Sequence, residues 1–508
     1  MLVPRINFTL LAPELILTVA GTWALLTSVA TRRKKPHSLL DPMYVAAAGC
    51  VVAFVSAAQT YASIPVGYHG TLVSGSLAVD GLSLFFKMLC ILGTLAGVIL
   101  TRAYHRRMYN EGELYSLLVF AALAMCLLVS ATELVTIYLS LEFLSLVSYV
   151  MAGYLKEEPR SNEAAVKYFL YGAVSAGIML YGMSILYGLT GSTLLSEIAA
   201  QTSGGAAGGK AVLLAVAMVA TGFLFKIAAV PFHQWSPDIY EGAPTPVAAF
   251  LSVAPKMAGF GVLLRVFALL FPTHAPDWVT LMAWLSALSM TVGNLSAIPQ
   301  RNIKRMLAYS SIAQAGYVMM GVAVAGPATA ATGMPAVMVY LGMYLVMNIG
   351  AFAVAIAVER LAGSEEIPDY AGLGQRSPWL AWMMVVFLVS LAGLPLTAGF
   401  VGKYYLFAAV LRFHELAWLA GVAAANTAIS VYYYFNVVRV MFFAPAKQTT
   451  PVPQPLGLRL ALVVAFIFTL LLGIFPDHLL NLASTSNHVY GGPLPTQSSV
   501  APPPPSSR

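Results

Sequence analysis

Three lysines stand where a lysine is most costly: Lys226 in TGFLFKIAAVP, Lys256 in VAAFLSVAPKMAGFGVLL and Lys403 in TAGFVGKYYLFAAV. Each lies in a stretch apolar enough to cross a bilayer. A charged side chain at the bilayer centre costs at least about 2.5–3.5 kcal/mol, so the ones that are kept mark pathways or relays. A lysine near a helix end that snorkels to the headgroups is the plain alternative, and it explains one such residue more easily than three. Glu142, in TIYLSLEFLSLVSYV, is the acid to set beside them, about mid-span and with no charged residue within a turn. Left alone it would be kept protonated by burial; a nearby lysine would hold it ionised. Lys226 is the expected mate. A tether between helices is the alternative, although such tethers are usually Ser, Thr or Asn, which cost less. These residue types allow a proton relay. Burial disfavours the charged form of a lysine, so a modest change in a neighbouring acid can switch it. Opening a Glu142–Lys226 pair would push a proton from Lys226 towards Lys256 and on to Lys403.

Other polar residues fall around this set. Lys256 follows Pro255, about 16 Å into its span at 1.5 Å per residue. His233, in VPFHQW, lies between the break expected after Lys226 and the Asp238/Glu241 loop. Histidine titrates near neutral pH and can pass a proton sideways, or it can sit neutral against a carbonyl freed by Pro237. Glu163 and Lys167 are four apart with the acid first, the favourable order for an intrahelical pair, and can serve as a supporting pair or as an interfacial salt bridge. Lys87 and Glu133, near span ends, read as structural; Asp80 and Arg265 fit either reading. Cys50, Cys90 and Cys126 are isolated, with no CxxC spacing for a metal or cluster. His37, His69, His105, His274, His478 and His488 fall in loops or the tail, and no histidine pair shares an apolar helix face to hold a haem. Redox chemistry is therefore expected elsewhere, with no cofactor and no metal in this chain.

Composition says what must position these side chains. The 508 residues are 59% hydrophobic and 9% charged, against about 25% charged in soluble domains, and mean hydropathy is +0.80. The fold class is all-α, a polytopic membrane protein. Barrels are excluded because the apolar runs are long and continuous. About fourteen spans are expected: 8–30, 43–63, 79–101, 114–131, 133–155, 164–189, 211–232, 246–271, 277–298, 304–325, 335–358, 379–411, 416–442 and 457–482. The twelfth, too long for one straight span and containing Gly393, Pro395, Gly399 and Gly402, predicts a broken helix. The seventh is expected to break near Pro231. The first lacks a cleavage site and is followed by Arg32-Arg33-Lys34-Lys35, the wrong side for a signal peptide.

The net charge of +7 does not point to nucleic acid, because the bases gather in short loops: Arg32 to Lys35, Arg102, Arg106 and Arg107, Lys156 and Arg160, Arg301, Lys304 and Arg305. The positive-inside rule puts that side in the cytoplasm and both termini outside. The loop 200–210 reads as a flexible external linker, and the proline-rich tail from 491 as disordered. Gly222-Phe223-Leu224-Phe225-Lys226 recurs as Gly399-Phe400-Val401-Gly402-Lys403, seventh span to twelfth. A shift of five crossings inverts the second copy, the layout of transporters with a midplane ion site.

The stretches FKIAAVPFHQWSPDIYEGAPTPVAAFLSVAPK, AIPQRNIKRMLAYSSIAQAGY and SLAGLPLTAGFVGKYYLF resemble the antiporter-like subunits of respiratory complex I, the proton-translocating NADH–quinone oxidoreductase. LLAPELILTVAG and LEFLSLVSYVMAGYLKEEPRSNEAAVKYFLYGAVSAGIMLYG favour the N type, counterpart of mitochondrial subunit 2, over L and M. The resemblance covers about 8–480. It implies two inverted five-helix repeats with broken seventh and twelfth helices, and a division into 1–110, a three-helix segment; 111–275 and 276–445, the repeats; 446–490, a last helix; and 491–508, the tail. It implies proton-channel roles for Glu142, Lys226, Lys256 and Lys403, with His233, Glu163 and Lys167 supporting. NADH, FMN, iron–sulfur clusters and quinone would sit on other chains. The partners would be the antiporter-like M subunit and the small K, J and A subunits in a bacterial inner membrane. Lysine at 403, where M-type chains carry glutamate, and the lack of a long lateral helix agree with the N type; the tail departs from the pattern. A cation/proton antiporter of the same fold and a purely structural scaffold are the rival readings.

Overall fold

The computed structural model of the chain describes residues 8–31, 41–104, 111–203, 209–270, 275–326, 330–446 and 450–487. The linker 204–208 and the tail beyond 487, with His37, His105, His274 and His488, lie outside them. The first third runs α1 (Ala12–Thr31), α2 (Pro42–Ser63), strands β1 (His69–Leu72) and β2 (Leu77–Asp80), α3 (Gly81–Ala103), α4 (Glu111–Ser130), α5 (Leu134–Ala152), α6 (Pro159–Thr190) and α7 (Leu195–Ser203). The middle holds α8 (Gly209–Ile227), α9 (Trp235–Gly242), α10 (Thr245–Leu270), α11 (Ala275–Ala297), α12 (Ile303–Ala323) and α13 (Ala330–Ala362). The last part holds α14 (Leu373–Arg376), α15 (Pro378–Ala392), α16 (Ala398–Leu411), α17 (Ala417–Phe443), α18 (Leu456–Ile474) and α19 (Asp477–Thr485).

Twelve of these helices are long and apolar enough to cross a membrane. The more polar α12 and the α15–α16 pair bring the crossings to the fourteen expected. The expected limits hold to within a few residues except at the end: α18 stops at Ile474, and Pro476 restarts the chain as the short α19. Several short elements were not expected. β1 and β2 pair antiparallel from His69↔Asp80 to Leu72↔Leu77, and α7 is a short helix before the linker. Asp238 and Glu241, expected in a loop, lie on α9.

The centre is set by burial. All of the apolar window of α10 and 94% of that of α13 lie inside the protein, against 22% for α18 and 33% for α2. α10 and α13 are therefore the axis, and α2 and α18 are rim. α3 reaches α10 through missing side chains. A Cβ at Gly93 would meet the Ala254 side chain at 2.9 Å, and one at Gly261 would meet Phe86 at 2.9 Å. One neighbour order occurs twice. α5 lies on α4 and α6, α6 on α8 and α9, and these on α10; α12 lies on α11 and α13, α13 on α15 and α16, and these on α17.

Both expected breaks are present. α8 ends at Ile227; Ala228 takes a left-handed φ of 57°, and the chain passes a cis Val230–Pro231 bond before α9. α15 ends on Gly393 at φ 85°, and α16 starts after Leu396 at φ 68°. The GFxxK copies differ in their relation to these breaks: Lys226 ends the helix before its break, whereas Lys403 lies in the helix after. The short motif thus marks neighbourhoods of the breaks and not equivalent positions, because nothing in five residues fixes where a helix stops.

Candidate functional site

Four of the side chains singled out from sequence, Glu142, Lys226, Lys256 and Lys403, fall along one polar line through the apolar interior. It starts on α5, where Glu142 is half-buried. No ion pair joins Glu142 to Lys226. The Lys226 ammonium instead donates to the Ser145 hydroxyl at 3.3 Å, one turn along α5 from Glu142, and lies 5.9 Å from the centre of the Tyr168 ring. The expected direct pair is corrected: Lys226 ends on the Ser145 hydroxyl and interacts with Glu142 only through space. A serine at i+3 shares the acid's face and reaches less far, so the longer lysine ends on it first.

The break in α8 is stabilised locally. Trp235 Nε1 donates to the Phe225 carbonyl at 2.9 Å, adding to the bond that carbonyl accepts from Ala228 N–H where the helix ends, and its indole stacks on Tyr168 at 4.4 Å. His233 lies in this break with Nδ1 buried and unbonded. No hydrogen bond or ion pair joins it to the lysines. It is placed beside the line, not in it.

Lys256 is 2% exposed. Its ammonium donates to the Ser311 hydroxyl at 2.6 Å and the Ser311 carbonyl at 3.0 Å. Pro255 beside it removes one helical N–H donor. Tyr344 donates to Ser311 Oγ at 2.9 Å. One turn on in α12, Gln314 accepts from Tyr340 and donates to the Leu391 carbonyl at 2.9 Å and towards Tyr434 at 3.4 Å. The hydroxyls of Tyr434 and Ser310 share a 2.5 Å bond. Lys403 closes the line. It donates to the Ala392 carbonyl at 2.9 Å, an open end of α15, and towards Thr427 at 3.4 Å, and sits 4.2 Å over the Tyr317 ring. A cation at a helix C-terminus meets the negative end of its dipole, and one over an aromatic face gains from the ring quadrupole. Neither Lys256 nor Lys403 forms an ion pair among the described residues.

Glu163 and Lys167 do pair, at 2.7 Å, but within a larger network at the basic end. Lys167 also bonds Asp238 at 2.7 Å, Arg305 bonds Asp238 at 2.6 Å and Glu241 at 2.9 Å, and Arg160 lies 3.7 Å from Glu241. The network clamps α6, α9 and α12 together. Lys304, expected as a loop base, is buried and bonds Glu365 at 2.7 Å and the Ala243 carbonyl at 2.9 Å. Its position at the first turn of α12 turns it inward.

Two buried pairs lie apart from the line. Lys87, expected near a span end, is 1% exposed and pairs with Glu14 at 2.7 Å. Arg265 grips Asp80 through two bonds of 2.8 Å and the Val129 carbonyl at 3.1 Å. Asp80 also caps α3 by accepting from Ser83 N–H at 2.8 Å. Burial alone would raise the Asp80 carboxyl, but the Arg265 guanidinium and the Ser83 bonds hold it down at about 2. Glu133 accepts from Thr136 and Thr193, a structural role.

The hydroxyls and amides joining the lysines were not visible in sequence. The available signal was the run Ser310, Ser311, Gln314 and Tyr317 on α12, polar at helical spacing within an otherwise apolar helix.

Residues 131–430 match the family described as NADH:quinone oxidoreductase/Mrp antiporter, transmembrane. The NADH-quinone oxidoreductase subunit N of Trichlorobacter lovleyi is 43% identical over 94% of this chain and 96% of its own length. That of Heliobacterium modesticaldum is 40% identical over 94% and 99%. A chain of respiratory complex I from Thermus thermophilus, solved with aureothin bound, superposes with a TM-score of 0.75 at 35% identity, covering 92% of this chain and 99% of that one. The Mrp complex of Dietzia sp. shares the fold, with a TM-score of 0.80 at 21% identity over 95% of this chain and 97% of that one. With fourteen crossings, two broken helices and a lysine-bearing polar line across the interior, the chain belongs to the subunit N branch of the NADH:quinone oxidoreductase/Mrp antiporter transmembrane family.

Proposed function

We propose that the chain is a proton-translocating membrane-arm subunit of a NADH–quinone oxidoreductase, with Glu142, Lys226, Lys256 and Lys403 as the relay. The observation that carries this is the set of three buried lysines bonded to hydroxyls and carbonyls rather than to carboxylates. A desolvated ammonium without a counter-charge loses its proton more readily than a paired one, and each lysine here has an oxygen or ring ready for either state. Ser145, Ser311, Tyr344, Gln314 and Tyr434 both donate and accept, as a relay requires. Glu163 and Lys167, within the basic-end network, support the entrance, and His233 sits at the hinge of the first break.

In this reading the chain is the translocase part and carries no electron. NADH, FMN, iron–sulfur clusters and quinone act on partner chains, and the M, K, J and A subunits flank it. It lies in a bacterial inner membrane with both termini outside, its repeats inverted about the membrane plane. The family also includes Mrp antiporters, so sodium/proton exchange is the second reading. Lys226→Ala should cut coupled proton pumping in sealed vesicles by roughly tenfold or more, with artificial-acceptor NADH oxidation intact. Lys226→Arg should fail too, because arginine does not release its proton. Normal pumping by both variants in assembled complex would sink the relay. Sodium-gradient transport by this chain alone would favour the antiporter.

A further inference from the structure

A buried carboxylate at the basic end has no part in the line above. Glu359, in the last turn of α13, is 1% exposed. It accepts from the Tyr104 hydroxyl at 3.2 Å and the Thr245 hydroxyl at 2.5 Å. Thr245 is the first residue of α10, the helix of Lys256, so Glu359 stands at the foot of the α10–α13 interface. Among the described residues, Tyr104, Lys304, Arg360, Glu365, Asp369 and Tyr370 also stand at this end, together with the Arg160, Glu163, Lys167, Asp238, Glu241 and Arg305 network, and Glu359 and Tyr370 are close enough to interact electrostatically.

From there to Lys256 the interface is a polar seam. Thr245, Ser252 and Lys256 share one face of α10, at spacings of 7 and 4. Tyr344, Asn348 and Glu359 share one face of α13, at spacings of 4 and 11. Asn348 donates to Ser252 at 2.6 Å, and its buried Oδ1 has no partner. The buried Tyr240 hydroxyl of α9 also makes no hydrogen bond and faces Ser236 and Ser311. Its ring packs edge-on at 6.4 Å against Phe352, two turns from Glu359 on α13. Ser311 in turn bonds Lys256. Unsatisfied buried polar atoms along one seam are what bridging waters supply.

We propose that Glu359 takes up protons from the basic side and passes them to Lys256 through Tyr240 and Ser311, without passing through Lys226. The proton leaves the Glu359 carboxyl, crosses by exchange along the hydroxyls and bridging waters, and ends on the neutral Lys256 amine. The carboxylate left behind is reprotonated from the basic side. This rests on the relay reading, and it gives Lys256 its own supply.

The test uses assembled complex in sealed vesicles with the basic face outward, pumping driven by NADH over a range of outside pH. Glu359→Gln should slow pumping about fivefold or more at alkaline pH, where protons are scarce, and much less at acid pH. Glu359→Asp should keep at least about half the rate. Tyr240→Phe, which keeps the ring and removes the hydroxyl, should follow Glu359→Gln, and it decides alone if Glu359→Gln fails to assemble. Normal pumping by Glu359→Gln or by Tyr240→Phe, at wild-type complex content, overturns the inference. So does a loss equal at every pH and not rescued by aspartate, which marks a structural tie. Lys226→Ala in the same assay separates the two claims: if it stalls while the seam variants pump normally, only this inference falls. If it also pumps normally, the relay falls with it.

Discussion

Ser311 shows what the proposed relay asks of a single residue. Its hydroxyl accepts from Lys256 and from Tyr344, so it joins the central lysine to the tyrosines that lead towards Lys403. Ser311→Ala should slow pumping about threefold to tenfold while complex content holds, and Ser311→Thr should recover most of it; proton uptake per NADH oxidised is the measurement. The Asp80–Arg265 pair makes the opposite prediction, one of stability. The Asp80 carboxyl is held at about 2, below its unfolded value of about 3.9. Its contribution is therefore complete above that unfolded value and lost as pH falls towards 2. Asp80→Asn leaves Arg265 buried without its carboxylate and should cost roughly 3–5 kcal/mol. It should also remove the part of the acid sensitivity between about pH 4 and 2 that this pair contributes, read as thermal unfolding of the purified complex in detergent. The charged residues were legible because each contrasts with the apolar run around it. Their partners were not. Ser148 bonds its own helix at the Leu144 carbonyl, whereas Ser145 meets Lys226, and nothing in SLVSYV separates the two roles.

The broken helices were legible for a related reason: proline and glycine gather at 393–402 and after Lys226, and no straight span accommodates them. How the break is stabilised was not legible, because it depends on contacts between segments. At the second break Gly399 N–H donates to Ser390 Oγ at 3.0 Å, and a Cβ on Gly399 would stand 1.7 Å from the Ser390 carbonyl oxygen. Both atoms are on the α15 side, so Gly399→Ala must push α16 away from α15. That shift would carry Lys403 off the Ala392 carbonyl. Complex content should fall, and the complex that does assemble should pump several-fold more slowly. Gly421→Ala on α17, where nothing lies within 4 Å of the added carbon, is the control and should match the parent in both measurements. Equal behaviour of the two variants would mean that the close contact at Gly399 does not hold the break. β1, β2 and α7 escaped the sequence because each is too short for periodicity to mark it.

Across the whole molecule the line runs from a half-buried acid on one flank, through the fully enclosed α10, to a lysine beside α17. Charge must enter where the molecule can be touched, and Glu142 is the member of the line that is not enclosed. On the proposed relay, a change of charge beside the partly exposed face of α5 shifts the Glu142 proton, and Lys226, coupled to it by field rather than by contact, responds. As a general scale, a unit charge about 6 Å away acts with roughly 2–3 kcal/mol at an effective dielectric near 20, enough to move a proton equilibrium by more than tenfold. Glu142→Gln keeps shape and hydrogen bonding but removes that charge, so it should impair pumping nearly as much as Glu142→Ala, while Glu142→Asp keeps part of it. A mere tether predicts the reverse, with the glutamine variant near normal and the alanine variant poorly assembled. Combining Glu142→Gln with Lys226→Ala then asks whether the acid works only through the lysine. If it does, the double variant pumps no more slowly than Lys226→Ala alone, because the group that Glu142 addresses is already gone. Losses that multiply, at equal complex content, would mean that Glu142 acts on the relay by another route, and the entry point of the molecule would have to be sought elsewhere on α5 or α6.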